Sequence, residues 1–555
     1  MRSTPRFMTL SVVFCLPFLT AVAQDPAATL QSDGIQQNAT ALGHWGLKSD
    51  KYSEWTNHSN RLIPVYSFGT GTANGAVNLK HYTGANSLYR SEEQLRRIYG
   101  RVPERTLNEN AVWMDQTNVA DIQRAAVAAG KKHIFLVVFD GMDWQTTRAA
   151  AIYNTGRVGY RRGKGNGTHF QNYDANGTAQ FGFMCTSPHN DGTKVDVDAQ
   201  SVQNPGGSVF GGYDAAAGGA APWQLPTDAG YLIAKPAEQH TRHAFTDSAS
   251  SATSMMAGIK TYNNAIGVDP QGAPVAAIAH ELQEEGWSVG AVSSVPISHA
   301  TPACAYSHNV TRKDYQDISR DLLGLPSIAH PDQPLPGLDV VIGGGFGSVI
   351  EKDSGQGANF EPGNKYLADS DLARSDVRNG GRYVTAVSTE GQNGAVLLQE
   401  AANQAIKDQK RLLGFFGIGR YSGHLPYQTA NGDFKPVRGV AKEAEAYTQE
   451  ELMQNPELHQ MTTAAIQVLQ KRSERFWLLV EAGDVDWANH DNNIDNAIGA
   501  VNSGDAAVKV ITDWVEQNSS WDDALVIVTA DHGHLFQFSR PALLAKAVKS
   551  DAAAE

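Results

Sequence analysis

The chain has 555 residues, of which 41% are hydrophobic and 19% are charged. This composition supports a sizeable buried core and excludes an intrinsically disordered chain, a collagen-like chain and a small disulfide scaffold. The net charge of −13 would repel a long nucleic-acid backbone, so we expect no nucleic acid as a specific partner. A small anion can still bind, because a binding site depends on local charge.

The N-terminal residues have the order of a secretory signal peptide. Arg2 and Arg6 precede an apolar run over 10–22, and small residues end at Ala23. The run is too short to cross a bilayer, which takes about 20 residues as a helix. We therefore expect residues 1–23 to be removed, the mature protein to be periplasmic or extracellular, and no membrane span. A buried N-terminal core helix is the alternative.

The next residues, 24–130, are polar and rich in turns, and we predict an irregular N-terminal extension there. From residue 131 onward, short apolar runs recur. Runs rich in Val and Ile with little alternation are typical of strands buried on both faces. The runs are 133–139, 288–295, 338–342, 476–480 and 525–529.

Stretches with helical patterning lie between these runs, at 274–285, 395–409, 458–471 and 494–517. Strands that alternate with helices predict an α/β fold. The expected form is a three-layer sandwich with a large, mostly parallel central sheet and helices on both faces. We place this domain over 131–555, with an insertion at about 343–457.

Three of the predicted strands lead into acidic residues or histidine. Asp140 follows the first strand, Glu481 follows the fourth, and Asp531 and His532 follow the fifth. Ligands bind at the carboxyl ends of strands in open α/β sheets. Any one of these residues alone is more often a cap or a solvated side chain, but crowded carboxylates repel unless a cation lies among them. Mixed Asp and His ligands suit zinc.

Asp486 and His490 add to this set. They are four residues apart, so they face the same way if 484–490 is a helical turn. Such a pair can chelate one metal ion.

Ser248 is the candidate nucleophile. Asp247 is a favourable cap for a helix that would end at Gly258, and helix N-termini attract anions. An ordinary N-terminal helix serine is the alternative. Because no His and Asp pair lies nearby in sequence, we expect a metal to activate its hydroxyl. Arg312 has the planar fork that suits bidentate phosphate binding.

Two cysteines, Cys185 and Cys304, lie beyond the predicted signal peptide. They can pair in an oxidising compartment, or each can be a small buried apolar residue. The sequence has no Cys-x-x-Cys motif, so we expect metals to be held by Asp, Glu and His.

Together these motifs resemble those of the alkaline phosphatase family, in the family's order. The segments that carry the resemblance are 140–142 (Asp-Gly-Met), 247–249 (Asp-Ser-Ala), 299–303 with 307–312, 480–491, and 529–534 (Thr-Ala-Asp-His-Gly-His).

The resemblance implies a site with two zinc ions and one magnesium ion. Asp140, Asp531 and His532 would hold the zinc that activates Ser248, and Arg312 would hold the phosphoryl oxygens. The remaining ligands would be Asp486 and His490 for the other zinc, and Asp140, Thr301 and Glu481 for magnesium. The implied function is that of a secreted hydrolase of small phosphate monoesters, working through a phosphoserine intermediate. Family members are commonly homodimers.

Two features depart from the family pattern. His299 and Trp487 stand where well-known bacterial members have Asp and Lys, which bears on the preference for the third metal. In the family, the zinc held by the counterparts of Asp486 and His490 also has a third ligand. This ligand is a His well downstream of the pair that matches Asp531 and His532, but no His follows His534 in this chain. Either the chain is truncated or another residue serves, with His534 and His424 as candidates. The last strand of the family's sheet is also expected to be missing.

Three functions therefore stay open. The first is hydrolysis of phosphate monoesters. The second is a phosphodiesterase or sulfatase-like hydrolase on the same fold. The third is a non-catalytic relative that binds phosphate or metal with an incomplete zinc site.

Overall fold

The computed structural model of the protein describes residues 25–40, 42–71, 76–207, 209–233 and 242–551. The predicted signal peptide lies outside these ranges and stays a prediction. Within them, no helix combines the length and the apolar character that a membrane crossing requires.

A ten-stranded sheet forms the centre of the described chain. Its strands are β1 (Ile63–Phe68), β2 (Met114–Asp115), β3 (His133–Phe139), β4 (Gln180–Cys185), β5 (Ser288–Pro296), β6 (Val340–Gly344), β7 (Tyr383–Val387), β8 (Arg411–Phe415), β9 (Phe476–Ala482) and β10 (Ala524–Thr529). Their spatial order is β7-β8-β6-β5-β9-β3-β10-β1-β4-β2.

The seven neighbouring strands from β7 to β10 are all parallel. Strand β1 is antiparallel to β10 and to β4, and β2 is parallel to β4. In β3 and β9 nearly every residue is buried, because helices cover both faces of the sheet. The predicted α/β sandwich with a mostly parallel sheet is confirmed.

The helices form the two outer layers. They are α1 (Pro26–Gln37), α2 (Glu92–Tyr99), α3 (Asn118–Ala128), α4 (Trp144–Thr155), α5 (His169–Asn172), α6 (Ala215–Gly218), α7 (Ser248–Ala257), α8 (Ile278–Glu284), α9 (Ala300–Cys304), α10 (Tyr315–Leu323), α11 (Asp369–Ser375), α12 (Gly394–Asp408), α13 (Gln449–Gln454), α14 (Leu458–Arg472), α15 (Asp484–His490), α16 (Ile494–Asn518) and α17 (Pro541–Asp551). Helices α4, α12, α14 and α16 belong to one layer, and α3, α7, α8 and α9 to the other.

Short elements complete the described chain. Two-stranded pairs join His44–Trp45 to Phe536–Gln537, Asn190–Asp191 to Val209–Phe210, Val195–Asp196 to Ser201–Val202, and Val349–Ile350 to Gly363–Asn364. The 3-10 turns are Leu79–His81, Gly84–Asn86, Leu88–Arg90, Ala229–Leu232, Val377–Asn379 and Gly419–Tyr421.

The expectation of an irregular extension over 24–130 is wrong, because this segment supplies β1, β2 and three helices. All six residues of β1 are buried, but Pro64 and Ser67 interrupt its apolar pattern, and a proline argues against a central strand. The segment 343–457, predicted as an insertion, supplies β7 and β8 at the opposite end of the sheet. Both segments therefore belong to the central sheet.

The two cysteines Cys185 and Cys304 are buried and unpaired. The sulfur of Cys304 lies 3.3 Å from the carbonyl oxygen of Ala249. Both behave as small buried residues, as the second interpretation expected.

Candidate active site

Strand register brings three acidic residues to one edge of the sheet. Thr529 of β10 and Glu481 of β9 both pair with Val138 of the central strand β3. Asp140 and Asp531 each lie two residues beyond this level, so they leave the sheet side by side. Separate strands therefore deliver carboxylates to one point, as the sequence predicted.

The turn after β3 requires glycine. Gly141 has φ +70°, and a Cβ built there would lie 2.7 Å from Nε2 of His534 and 3.0 Å from Cα of Asp486. Its backbone N–H donates to Oδ1 of Asp531 at 2.9 Å. The absence of a side chain thus lets the ends of β3 and β10 approach α15.

Asp140, Asp531 and His532 form what we call the strand-end cluster. Nε2 of His532 lies 3.2 Å from Oδ1 of Asp140 and 3.4 Å from Oδ2 of Asp531. Oδ2 of Asp140 and Oδ2 of Asp531 are buried and have no hydrogen-bond partner. Burial, followed by the charge of Asp531, holds the pKa of Asp140 well above its usual range. Two such carboxylates beside an imidazole are a donor set that fits a divalent cation.

Ser248 lies against this cluster at the first turn of α7. Asp247 caps the helix by accepting from the N–H of Ser250 at 3.0 Å, and Gly258 ends it with φ +79°. The hydroxyl oxygen of Ser248 is 3.4 Å from Oδ1 of Asp140 and 3.3 Å from Nε2 of His532. The helix start predicted from sequence is confirmed, and the serine oxygen faces two potential metal ligands.

A second group, which we call the two-segment cluster, consists of His58, Asp486 and His490. Asp486 and His490 lie one turn apart on α15, with Nε2 of His490 3.4 Å from Oδ1 of Asp486. His58 comes from the N-terminal segment. Its Nε2 lies 3.1 Å from Nε2 of His490 and 3.6 Å from Oδ1 of Asp486.

The tautomers of both histidines follow from their backbone contacts. Nδ1 of His58 lies 2.9 Å from the carbonyl oxygen of Thr246, and Nδ1 of His490 contacts the carbonyl oxygen of Thr56. A carbonyl oxygen only accepts, so both Nδ1 atoms carry hydrogen. In the neutral rings the two Nε2 lone pairs then face each other, an arrangement that a cation between them would stabilise.

The spacing of these three atoms fits zinc. A tetrahedral zinc with bonds of about 2.0 Å places its ligands roughly 3.3 Å apart, and the observed separations are 3.1, 3.4 and 3.6 Å. Although burial alone would raise the pKa of Asp486, the surrounding histidines hold it well below its usual range. Burial also lowers the pKa of His490, which favours the neutral, ligating form.

The two histidines that were candidates for the third ligand, His534 and His424, lie in different places. His534 is buried beside the two-segment cluster, where its Nε2 forms a 2.7 Å hydrogen bond to Oδ1 of Asp486. His424 is engaged elsewhere, with Nε2 3.1 Å from Oε1 of Glu445 and Nδ1 against its neighbour's carbonyl oxygen. The structure therefore brings His534, and not His424, to the site.

Sequence reasoning missed His58. The segment that carries it is held beside the strand-end cluster, because Ser59 N–H donates to the carbonyl oxygen of Gly533 at 2.7 Å and Leu535 N–H donates to Oγ of Ser59 at 3.1 Å. Strand β1 follows directly and pairs with β10. A histidine just before a short apolar run was the only available signal.

Glu481 and Thr301 form a third polar group with Asp140. Oε1 of Glu481 and the hydroxyl of Thr301 are buried without a hydrogen-bond partner. Burial raises the pKa of Glu481 to about 8, and the hydroxyl of Ser293, which donates to the other carboxylate oxygen, opposes that rise. These orphaned oxygen atoms are the hard donors that magnesium prefers.

A cleft of about 520 Å³ opens over Ser248 and His490. Arg312 lines it and pairs with Asp247, its Nη1 3.0 Å from Oδ2. Trp487 also lines the cleft and packs edge-on against His299, with ring centroids 5.5 Å apart. The predicted nucleophile and arginine therefore share one opening.

Comparisons with known proteins find similarity to alkaline phosphatases. The family model described as alkaline phosphatase matches residues 221–552, which include Ser248, Arg312 and His532 but neither His58 nor Asp140. Alkaline phosphatase 4 of Bacillus subtilis is 30% identical over 290 residues, 52% of this chain and 49% of that protein. Alkaline phosphatase of Escherichia coli is 30% identical over 302 residues, 53% and 59% of the two chains. The chain thus spans about half the length of these relatives.

Solved structures that match include two from cold-adapted bacteria. A cold-active alkaline phosphatase from Shewanella has a TM-score of 0.40 at 22% identity, covering 72% of this chain and 68% of that one. Alkaline phosphatase from the Antarctic bacterium TAB5 has a TM-score of 0.41 at 20% identity, covering 73% and 79%.

Proposed function

Because the chain belongs to the alkaline phosphatase family, we propose that it hydrolyses small phosphate monoesters through a phosphoserine formed on Ser248. The observation that carries this proposal is the position of the serine oxygen. It lies within 3.4 Å of both Asp140 and His532, at a helix N-terminus and in one cleft with Arg312. A nucleophile, a candidate cation site and a phosphate-binding fork thus converge on one point.

The donor sets support three cations. The strand-end cluster would hold one zinc, the two-segment cluster would hold the other, and Asp140, Thr301 and Glu481 would hold magnesium. When bound, such ions lower the pKa of a hydroxyl or water at the site and neutralise phosphoryl oxygens.

The protein's own groups would orient both halves of the reaction. Asp140 and His532 direct the oxygen of Ser248 at phosphorus, and the free N–H groups at the start of α7 attract the phosphoryl group. Arg312 binds two phosphoryl oxygens with its planar fork while Asp247 holds its other edge. As the bond from Oγ to phosphorus forms, the bond from phosphorus to the ester oxygen breaks, and the alcohol would leave opposite the serine with the proton that the serine hydroxyl gives up. A water would then attack phosphorus from the side that the alcohol left, breaking the bond to Oγ and returning a proton to the serine as phosphate leaves.

We propose that His58 is the third ligand in the two-segment cluster. In the family pattern this histidine lies downstream of the Asp-His pair, whereas His58 precedes every other site residue in the chain. His534 would position Asp486 through its 2.7 Å hydrogen bond and would not be a ligand. The position of His58 argues against a non-catalytic protein, since the only support for that alternative was the missing ligand.

Metal analysis combined with hydrolysis of a chromogenic monoester, a diester and a sulfate ester, side by side, tests the proposal. We expect the monoester to be turned over fastest, with activity that rises from neutral toward alkaline pH. Faster turnover of the diester or sulfate would favour the second alternative. Full metal content with no turnover of any substrate would favour the third. Export and a homodimeric state stay proposals, which N-terminal sequencing of the secreted protein and its mass in solution would test.

A further inference from the structure

A separate group of metal-binding side chains lies outside the candidate active site. Its members are His308 in the segment after α9, Asp321 on α10, and His330 in the loop after α10. Each offers a ligand atom within 4.8 Å of the others. None of them has a part in the proposed reaction.

The two histidines are arranged as metal ligands usually are. Nε2 of His308 lies 2.9 Å from the carbonyl oxygen of Val275, so this nitrogen carries the hydrogen and Nδ1 has the free lone pair. Nδ1 faces Nε2 of His330 at 2.9 Å. Metal-bound histidines commonly donate their other N–H to a backbone carbonyl in this way. Burial lowers the pKa of His308 to about 3, which favours its neutral form.

Asp321 supplies a buried oxygen that has no partner. One carboxylate oxygen accepts from the backbone N–H of His308 at 2.9 Å. The other is buried and unsatisfied, which is costly for a carboxylate. The adjacent Arg320 does not pair with this oxygen, because its Nε lies 2.8 Å from Oδ2 of Asp371. Burial raises the pKa of Asp321 to about 8.

We propose that His308, Asp321 and His330 bind a zinc ion that is distinct from those of the catalytic centre. Two imidazole nitrogens and one carboxylate form a ligand set typical of zinc, with a fourth position left for water. His330 is only half-buried, and His308 lines a cleft of about 560 Å³ together with Ser288 and Asp339. These two residues lie where β5 and β6 begin, so the cleft opens at the sheet edge opposite Ser248.

The ion would join three segments of the chain. It would tie the loop of His330 to α10 and to the segment that leads to Arg312, four residues after His308. Its expected role is therefore structural, with an effect on stability that depends on zinc concentration.

Metal content of two variants tests the proposal. Full-length protein carrying His330→Gln or Asp321→Asn is stripped with chelator, reloaded with zinc, dialysed and analysed by mass spectrometry of the metal. We expect each variant to retain one zinc fewer than the unmodified protein, and to lose the part of the Tm increase that zinc produces. His459→Gln, a histidine on α14 whose side chain is 38% exposed, is the control and should change neither value. Unchanged zinc content in both site variants overturns the proposal.

A second measurement needs no variant. Diethyl pyrocarbonate modifies accessible histidine nitrogens, and peptide mass spectrometry reads the rate at each residue. Zinc should slow modification of His330 at least several-fold while His459 reacts as before. Equal rates at His330 with and without zinc would also overturn the proposal.

Discussion

The two candidate zinc clusters of the active site differ in how the chain builds them. The strand-end cluster takes its residues from the ends of two adjacent parallel strands, β3 and β10, so sheet register alone places Asp140 beside Asp531. The two-segment cluster joins α15 to His58, which is more than 400 residues away in sequence. The first depends on the central sheet, and the second depends on how the N-terminal segment docks beside it.

This difference indicates which residues hold the N-terminal segment in the site. The carbonyl oxygen of Thr56 receives Nδ1–H of His490, and the carbonyl oxygen of Thr246, two residues before Ser248, receives Nδ1–H of His58. The N-terminal segment thus fixes the tautomer of His490 on α15, and the segment before Ser248 fixes the tautomer of His58. The segment before Ser248 and the N-terminal segment are therefore coupled through the imidazole ring of His58.

The largest loss of activity is expected from removal of the proposed nucleophile Ser248, which lies against the strand-end cluster. Ser248→Ala should reduce monoester turnover by roughly 10³-fold or more, as loss of a covalent nucleophile does in other hydrolases, with zinc content unchanged. Steady-state kinetics and metal analysis check this. Ser254→Ala, on the same buried helix, is the matched control and should retain turnover. Near-normal turnover in Ser248→Ala would remove the serine from the mechanism.

The next largest effect is expected at the two-segment cluster. His58→Gln should weaken zinc binding there by about 10²-fold or more, because a catalytic zinc usually has three protein ligands. In the unmodified protein both zinc ions should leave over a similar range of chelator concentration, and in the variant one should leave first. Phosphoserine should then accumulate at low zinc and clear when zinc is restored. A single chelation step in His58→Gln would mean that His58 is not a ligand.

Gly141→Ala should disturb both clusters at once. The added Cβ would lie 2.7 Å from His534 and 3.0 Å from the backbone of Asp486 at a residue with φ +70°, and such strain costs about 1–3 kcal/mol of unfolding free energy. Gly130 has φ +86°, but no atom lies within 4 Å of a Cβ added there. Gly130→Ala therefore measures the cost of backbone strain without the cost of close contacts. Denaturant unfolding of both variants measures the difference. Equal losses would show that the contacts with α15 are not tight.

The smallest effect is expected from His534→Gln, which removes a hydrogen bond to Asp486 but no proposed ligand. Loss of such a supporting contact typically weakens metal binding by about 10-fold to 100-fold, so we expect the low end of that range and full zinc content at saturation. Zinc titration of the stripped protein checks this. If His534→Gln loses a zinc and His58→Gln does not, His534 is the ligand and His58 is not.

Much of the structure around Ser248 was predictable from sequence. The buried parallel strands, the helix starting at Ser248, and the pair Asp486 and His490 on one helical turn all depend on local patterns. Apolar runs without alternation specify strands buried on both faces, and a cap with a terminal glycine specifies a helix.

The remainder was decided by tertiary structure. The sequence by itself determined the fold class, the nucleophile candidate and the three acidic positions at one edge of the sheet. Only the folded chain shows that β1 lies beside β10 and that His58 lies next to Asp486. Pro64 and Ser67 interrupt the apolar pattern by which β1 could have been recognised, and a local pattern does not indicate which distant segment a strand pairs with. The folded chain likewise shows that His534, and not His424, lies beside Asp486. Both are buried histidines, and only their hydrogen-bond partners distinguish them. The pairing of strands that are distant in sequence depends on the packing of the whole sheet, and a short stretch of sequence does not determine it.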